Sequence, residues 1–278
     1  MAANGYKLRF WGVRGSMATP VRENMRYGGN TSCLGLALDP TEHLVLDCGT
    51  GACRLGASLM AGRPRGGMRF HVFFSHYHLD HVEGLRFFAP LYDPETTVVL
   101  HGPESSGISM REVLENLIAP PYFPVPLARA PAEIRFVPLY GGPLRVGDVQ
   151  MTWQRLHHPQ GSVAYRLERG ERSIVYATDH EHGDEAKDAD LARFARDADT
   201  LIYDAHYVRS EYESRYRGWG HSTWNEGVRI ARAARAKTLC LFHHHPTRAD
   251  AEVDALLQEA RRELPGVEAA YEGMELPL

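Results

Sequence analysis

The stretch FFSHYHLDHVEG, residues 73–84, decides how the rest of the chain is read. Three histidines and an aspartate (His76, His78, Asp80 and His81) follow directly on the apolar run RFHVFF. Extended backbone points residues two apart to the same side, so His76 and His78 project together from the end of a strand. Asp80 and His81 then open a helical turn into VEGLRFF. Neutral imidazole and carboxylate are the donors that suit zinc, manganese or iron. One ion does not need so many ligands, whereas two adjacent ions do.

Such a centre needs ligands from distant segments, and lone His or Asp residues that end apolar runs are the candidates. WQRLHHPQG offers His157 and His158, SIVYATD offers Asp179, TLIYDAHY offers Asp204 and His206, and TLCLFHHHP offers His243, His244 and His245.

The bulk of the chain is ordinary for a protein with a real core. It has 278 residues, 44% hydrophobic and 24% charged, enough for one large or two small domains. A net charge of −4 advertises no long nucleic-acid track and no anionic membrane. The start, MAANGYKLRFWGV, lacks the basic and apolar regions of a signal peptide, and no apolar run reaches the length of a membrane span. Cys33, Cys48, Cys53 and Cys240 make no CxxC pair and read as buried reduced thiols, which sets a cytoplasmic location as the expectation.

Short apolar runs such as HLVLDC, RFHVFFS, TTVVLHG, SIVYATD, TLIYDA and TLCLFHH alternate with helical stretches. Helices are expected after Gly51, after His81, near Ser105, near Asp188, at Ser222 and at Asp250, with Ser222 and Asp250 as N-caps. This pattern predicts an α/β (α+β) fold, two packed sheets with helices outside. The Pro-rich stretch APPYFPVPLARAP, residues 119–131, is an irregular loop, either a lid or a spacer.

SHYHLDH, preceded by LVLDCGTG at 44–51, resembles the HxHxDH motif and its Asp–Gly turn in the metallo-β-lactamase fold superfamily. The remaining segments follow in the family's order. The resemblance implies a four-layer αββα sandwich, one domain over 1–278, and two divalent metal ions, zinc first, with manganese or iron as alternatives. It implies that His76, His78 and His158 hold one ion, Asp80, His81 and His243 the other, and that Asp179 bridges them around a hydroxide. His158 is chosen over His157 because it stands just before the HPQG turn, and His243 because LFHHHP matches the family's strand-end His. His157, His244 and His245 are then expected behind the ligands or in solvent, and Asp47 orders the ligand loop.

GWGHSTWNEGVRIARAARAKTLCLFHHHP, residues 218–246, resembles the GHST–helix–strand–His element of tRNA 3′-processing ribonucleases and related phosphodiesterases. The resemblance makes His221 the group that protonates the leaving alkoxide, Asp204 its partner, and Asp80 the third member of the catalytic set. In the family an upstream Glu is more usual, and Asp204 is one methylene shorter. GVRGSMATPVRENMRYGGNTS, residues 12–32, resembles the family's glycine-rich first loop and offers Ser16, Asn30 and Thr31, with Arg14 and Arg26, to substrate. Glu181 and His182 are expected as exposed loop residues.

The function expected from these motifs is metal-dependent hydrolysis of a small phosphodiester such as a cyclic nucleotide. Ribonucleases of this branch reach tRNA with a flexible Gly-rich, basic arm. The sequence shows no insertion of that composition, so nucleic acid is disfavoured as partner, and membrane excluded. A homodimer is compatible with the pattern. The alternatives are a thioesterase or lactonase, a tRNA-processing endonuclease, an iron-dependent oxidoreductase, and a metal-free binding module.

Overall fold

The computed structural model describes residues 5–278. Among these residues two sheets of seven strands pack face to face. The first contains β1 (Lys7–Gly12), β2 (Cys33–Ala37), β3 (Glu42–Leu46), β4 (Arg69–Phe73), β5 (Thr97–Gly102), β6 (Glu133–Pro138) and β14 (Glu275–Pro277), in the order β14-β1-β2-β3-β4-β5-β6. The second contains β7 (Leu144–Val146), β8 (Val149–Leu156), β9 (Ser162–Arg169), β10 (Arg172–Ala177), β11 (Thr200–Asp204), β12 (Thr238–Phe242) and β13 (Val267–Ala269), in the order β13-β12-β11-β10-β9-β8-β7.

Strands β3 to β6 are parallel, and so are β10 to β13. Parallel strands covered on both faces need apolar residues at every position, which is why SIVYA, TLIYD and TLCLF show no polar alternation. Inward residues Ile174, Tyr176, Ile202, Cys240 and Phe242 meet Leu44, Leu46 and Phe73 of the other sheet in one core. Their neighbours turn outward: Val175, Leu201, Tyr203, Leu239 and Leu241 pack under helices, as do Val45, Phe70 and Val72 on the first sheet.

Helices α1 (Gly51–Ala61) and α3 (Met110–Leu117) cover the first sheet, with the short α2 (Leu79–Val82) at its edge. Helices α4 (Glu185–Phe194), α6 (Trp224–Ala234) and α7 (Asp250–Glu263) cover the second. A short α5 (Arg209–Glu211) runs into a single π-type turn, Tyr212–Tyr216. The layers are therefore αββα, as the sequence predicts.

Boundaries shift in places. The helix expected near Ser105 starts at Met110 behind the Ser109 cap, and the one near Asp188 starts at Glu185 behind Asp184. Thr223, not Ser222, caps α6, because Ser222 is engaged with Tyr203 and His182. The N-cap of α7 is Ala249; the Asp250 carboxylate instead accepts from the backbone N–H groups of Arg26 and Tyr27. In the 119–131 segment Leu127 is buried, and Phe123 packs edge-on against Phe87, with ring centroids 5.6 Å apart. Those contacts seat the segment on the outer core of the first sheet.

Candidate metal centre

Functional side chains collect at the carboxyl ends of the parallel strands, the edge where open α/β sheets place their ligands. Asp47 follows β3, the His76–His81 turn follows β4, Asp179 follows β10, Asp204 ends β11 and His243 follows β12. His158 comes from the turn between β8 and β9. Three of these residues, Asp47, Asp179 and His243, have left-handed backbones with φ of 54°, 55° and 61°. Non-glycine residues hold that conformation only where their surroundings enforce it, and such strain gathers at functional sites.

The seven residues expected as ligands come together in two groups. His76, His78 and His158 offer donor atoms that all lie within 4.8 Å of one another, and so do Asp80, His81 and His243. His158 Nε2 is 3.1 Å from His78 Nδ1. In the second group Nε2 of His243 and of His81 lie 3.1 and 3.3 Å from Asp80 Oδ2.

Asp179 stands between the groups and turns one oxygen to each. Its Oδ1 is 3.7 Å from His76 Nε2 and 3.9 Å from His158 Nε2. Its Oδ2 is 3.2 Å from His81 Nε2 and 3.4 Å from His243 Nε2.

Most of these imidazoles are held at the nitrogen facing away from the cluster. His81 Nδ1 pairs with Asp47 at 2.8 Å, and His158 Nδ1 donates to the carbonyl of Gly220 at 2.8 Å. His78 Nε2 meets Gln160 Oε1 at 3.1 Å, and His76 Nδ1 meets Ser75 Oγ at 3.1 Å. Such outer contacts fix the tautomer and turn the other nitrogen's lone pair into the site. His76 Nε2 is buried without a hydrogen-bond partner among the described residues. An orphaned acceptor that faces carboxylates and other imidazoles fits a cation.

Electrostatics agree. Burial, then repulsion from His81, holds the His76 imidazole well below its ordinary value and so neutral, and burial lowers His158 to about 4. Burial opposes ionisation of Asp80 and Asp179, yet the histidines around them outweigh it and keep both carboxylates charged. Burial likewise opposes a charged His81, but Asp179, Asp80 and Asp47 pull its imidazole well above the usual range. Three carboxylates demand positive charge at this spot, which a divalent ion supplies while leaving the imidazole a neutral donor.

Beside the groups, His221 Nδ1 lies 2.9 Å from Asp204 Oδ2 and 3.6 Å from Asp179 Oδ1. Burial alone depresses this imidazole; the charge and hydrogen bond of Asp204, helped by Asp179 and Asp80, raise it to about 9. Asp204 is itself positioned by the backbone N–H groups of His206 and Ser222, which both donate to its Oδ1. His221, drawn toward its charged form, thus stands beside Asp179 and the two donor groups.

The first loop behaves differently from expectation. Ser16 reaches the site: its N–H donates to Asp80 Oδ2 at 2.7 Å, and its Oγ is 3.4 Å from His206 Nε2. Thr31 is fully buried and bonded to Thr50. Asn30 gives both its N–H and its side-chain amide to Glu272. Arg14 is fully buried and bonds the carbonyls of Gly28, Asn24 and Arg248, while Arg26 pairs with Asp254. These four order the loop.

Two residues carry more than their sequence context suggested. Glu181, expected in solvent, is buried and accepts from Tyr212 Oη and from the N–H groups of Gly218 and Gly220. His206 is buried against His221, with ring centroids 4.3 Å apart, and burial holds it neutral. His157 is exposed, bonding the Glu181 carbonyl; His244 is buried and donates to Ala270 O; and His245 is half-buried against His206. None of the three belongs to either group of donors.

The family model described as "Beta-lactamase superfamily domain" matches residues 43–244. Ribonuclease Z of Haloarcula marismortui is 27% identical over 316 aligned positions, covering 97% of this chain and 96% of that protein. Among solved structures, the metallo-beta-lactamase fold protein YhfI from Bacillus subtilis superposes with a TM-score of 0.70 at 21% identity, covering 98% of both chains. The short form of human tRNase Z superposes with a TM-score of 0.65 at 19% identity, covering 97% of this chain and 98% of that one.

Proposed function

This chain belongs to the beta-lactamase superfamily, in its ribonuclease Z-like branch, and is a hydrolase of the metallo-β-lactamase fold; on that premise we propose that it is a dinuclear metal-dependent phosphodiesterase that cleaves RNA. We take residues 1–278 as one domain, since Leu8 early in the described residues and Leu276 and Leu278 late in them share the core between the sheets. His76, His78, His158 and Asp179 would hold one divalent ion, and Asp80, His81, His243 and Asp179 the other. The ions would be zinc, or manganese or iron where those are the available metals. Bound there, such a pair supplies Lewis acidity toward a phosphodiester and acidifies water.

The chain's own groups do the rest. Asp80, fixed by the N–H of Ser16, and the histidines orient the site. Water, its first proton lost to solvent, adds to phosphorus as the P–O bond to the leaving alcohol breaks; His221 gives the proton on its Nε2 to that oxygen and takes one back from solvent before the next turnover. Asp204 holds the other nitrogen and keeps the imidazole cationic until the transfer. The observation that carries the proposal is Asp179, one oxygen toward each donor group, with a protonated His221 within 3.6 Å of it.

RNA is preferred as substrate class because the curated relative that spans nearly the whole chain is a ribonuclease Z. A small phosphodiester is the second reading. The net charge of −4 favours it, and the alignment with the relative runs to 316 positions while taking in 97% of the 278 residues here, so part of it has no counterpart in this chain. Cleavage of a transcript carrying a 3′ trailer, run beside a cyclic nucleotide and bis(p-nitrophenyl) phosphate, separates the two. Turnover of a thioester or lactone but of no phosphodiester would contradict both.

A further inference from the structure

Trp219 is 62% exposed although it sits two residues from His221. Its backbone is not loose. The buried Glu181 carboxylate accepts from Gly218 N at 2.6 Å and from Gly220 N at 2.7 Å, one on each side of the tryptophan. The carbonyl of Gly220 in turn holds metal-centre His158. A buried acid therefore clamps an exposed indole at the rim of the candidate centre.

The indole also ends an aromatic ladder. The ring of Tyr207 stands edge-on to His221, centroids 5.8 Å apart. Tyr207 and Tyr216 stack at 4.5 Å with planes 2° apart, and Trp219 meets Tyr216 edge-on at 5.3 Å. The π-type turn Tyr212–Tyr216 sets Tyr216 in that stack. Three exposed arginines, Arg209, Arg215 and Arg217, lie on the same segment and form no ion pair among the described residues; Arg217 stands 5.8 Å over the Tyr212 ring, Glu211 on this segment is taken up by Arg248, and Glu213 is exposed. With Glu211 neutralised from outside, the segment keeps a modest excess of positive charge interleaved with aromatic rings, the combination that grips single-stranded nucleic acid: arginines follow the backbone and rings stack on bases.

We propose that Trp219, backed by Tyr216 and flanked by Arg215 and Arg217, is a stacking subsite for an unpaired nucleobase next to the scissile phosphodiester. This deepens the phosphodiesterase proposal, on which it rests, by giving this chain's own residues for holding the base beside the cleaved bond. The stack supplies affinity without strong choice among bases, because every base has a π-face.

Calorimetric titration of the metal-loaded protein with CMP and with ribose 5-phosphate tests it. Neither ligand is a diester, and they differ by the base. CMP is expected to bind about tenfold or more tightly than ribose 5-phosphate. W219A is expected to abolish that preference, W219F to keep most of it, and R217A to weaken both ligands alike; melting temperatures confirm that each variant is folded. Equal binding of the two ligands, or a preference that survives W219A, would overturn the subsite. So would Trp219-dependent binding to phosphatidylglycerol vesicles without a CMP preference, which would make the indole a membrane contact. Hydrolysis of bis(p-nitrophenyl) phosphate is read in parallel. Hydrolysis without base preference removes the subsite alone, and base preference without hydrolysis of any phosphodiester removes the phosphodiesterase alone.

Discussion

The carboxylate of Asp204 lies 2.9 Å from Nδ1 of His221 and keeps that imidazole protonated up to about pH 9. In the proposed reaction this pairing would make His221 the proton donor at neutral pH, with its Nε2 toward the leaving group.

Removing His221 tests that role. H221A is expected to lower kcat for a phosphodiester by about 10²- to 10⁴-fold, the usual worth of a placed general acid, with a smaller change in KM. D204N removes the charge that raises the imidazole, so His221 falls back toward its ordinary 6.5. The cationic form works, so activity is lost as pH rises. The alkaline limb should therefore move to lower pH in D204N, and kcat–pH profiles of the two proteins read the shift. Coincident limbs would remove Asp204 from the role.

Gly220 tests the link between the tryptophan loop and the metal centre. Its φ is +87°, and an added Cβ would stand 2.3 Å from Nδ1 of His158. G220A must therefore push the ligand or the loop aside. Metal affinity, measured by competition with a chelator, is expected to drop about 10- to 100-fold, as when an outer contact to a ligand histidine is lost.

Asp47 is fully buried and accepts from Ser75 N, Ser75 Oγ and Tyr176 Oη, and pairs with His81 Nδ1. D47A leaves those donors without a partner inside the protein. Urea denaturation should show a loss of about 3 to 5 kcal/mol, together with reduced metal content.

Away from the centre, burial lowers His101 to about 3, and its ring stacks on Phe73 at 4.3 Å. The native state resists protonation that the unfolded chain accepts below 6.5. Stability from this group is complete above 6.5 and is lost as pH falls toward 3. Between pH 7 and pH 5 the wild type should lose about 2 kcal/mol more than H101L, measured by urea midpoints at the two values. Equal losses would show that His101 is not the titrating group.

The legible parts of the sequence were those where one residue type has one physical use. HYHLDH, SIVYATD and TLCLFH announce strands that end in donors; the sorting of those donors into two groups, and the choice of His158 and His243 among neighbouring histidines, came from the family resemblance. β7, β13 and β14 escaped notice because three residues are too few to show a period. In the first loop Asn30, Thr31 and Arg14 are polar but turn to Glu272, Thr50 and backbone carbonyls, partners that only tertiary structure supplies. Glu181 looked exposed in DHEHGD for the same reason: its partners lie more than thirty residues away in YESRYRGWG.

The central claim is that the two donor groups flanking Asp179 would together hold two divalent ions. Elemental analysis of protein purified without chelator, in a preparation shown to hydrolyse a phosphodiester, tests it most directly. About two divalent ions per chain are predicted. A hydrolysing preparation with one ion per chain, or none, would contradict it.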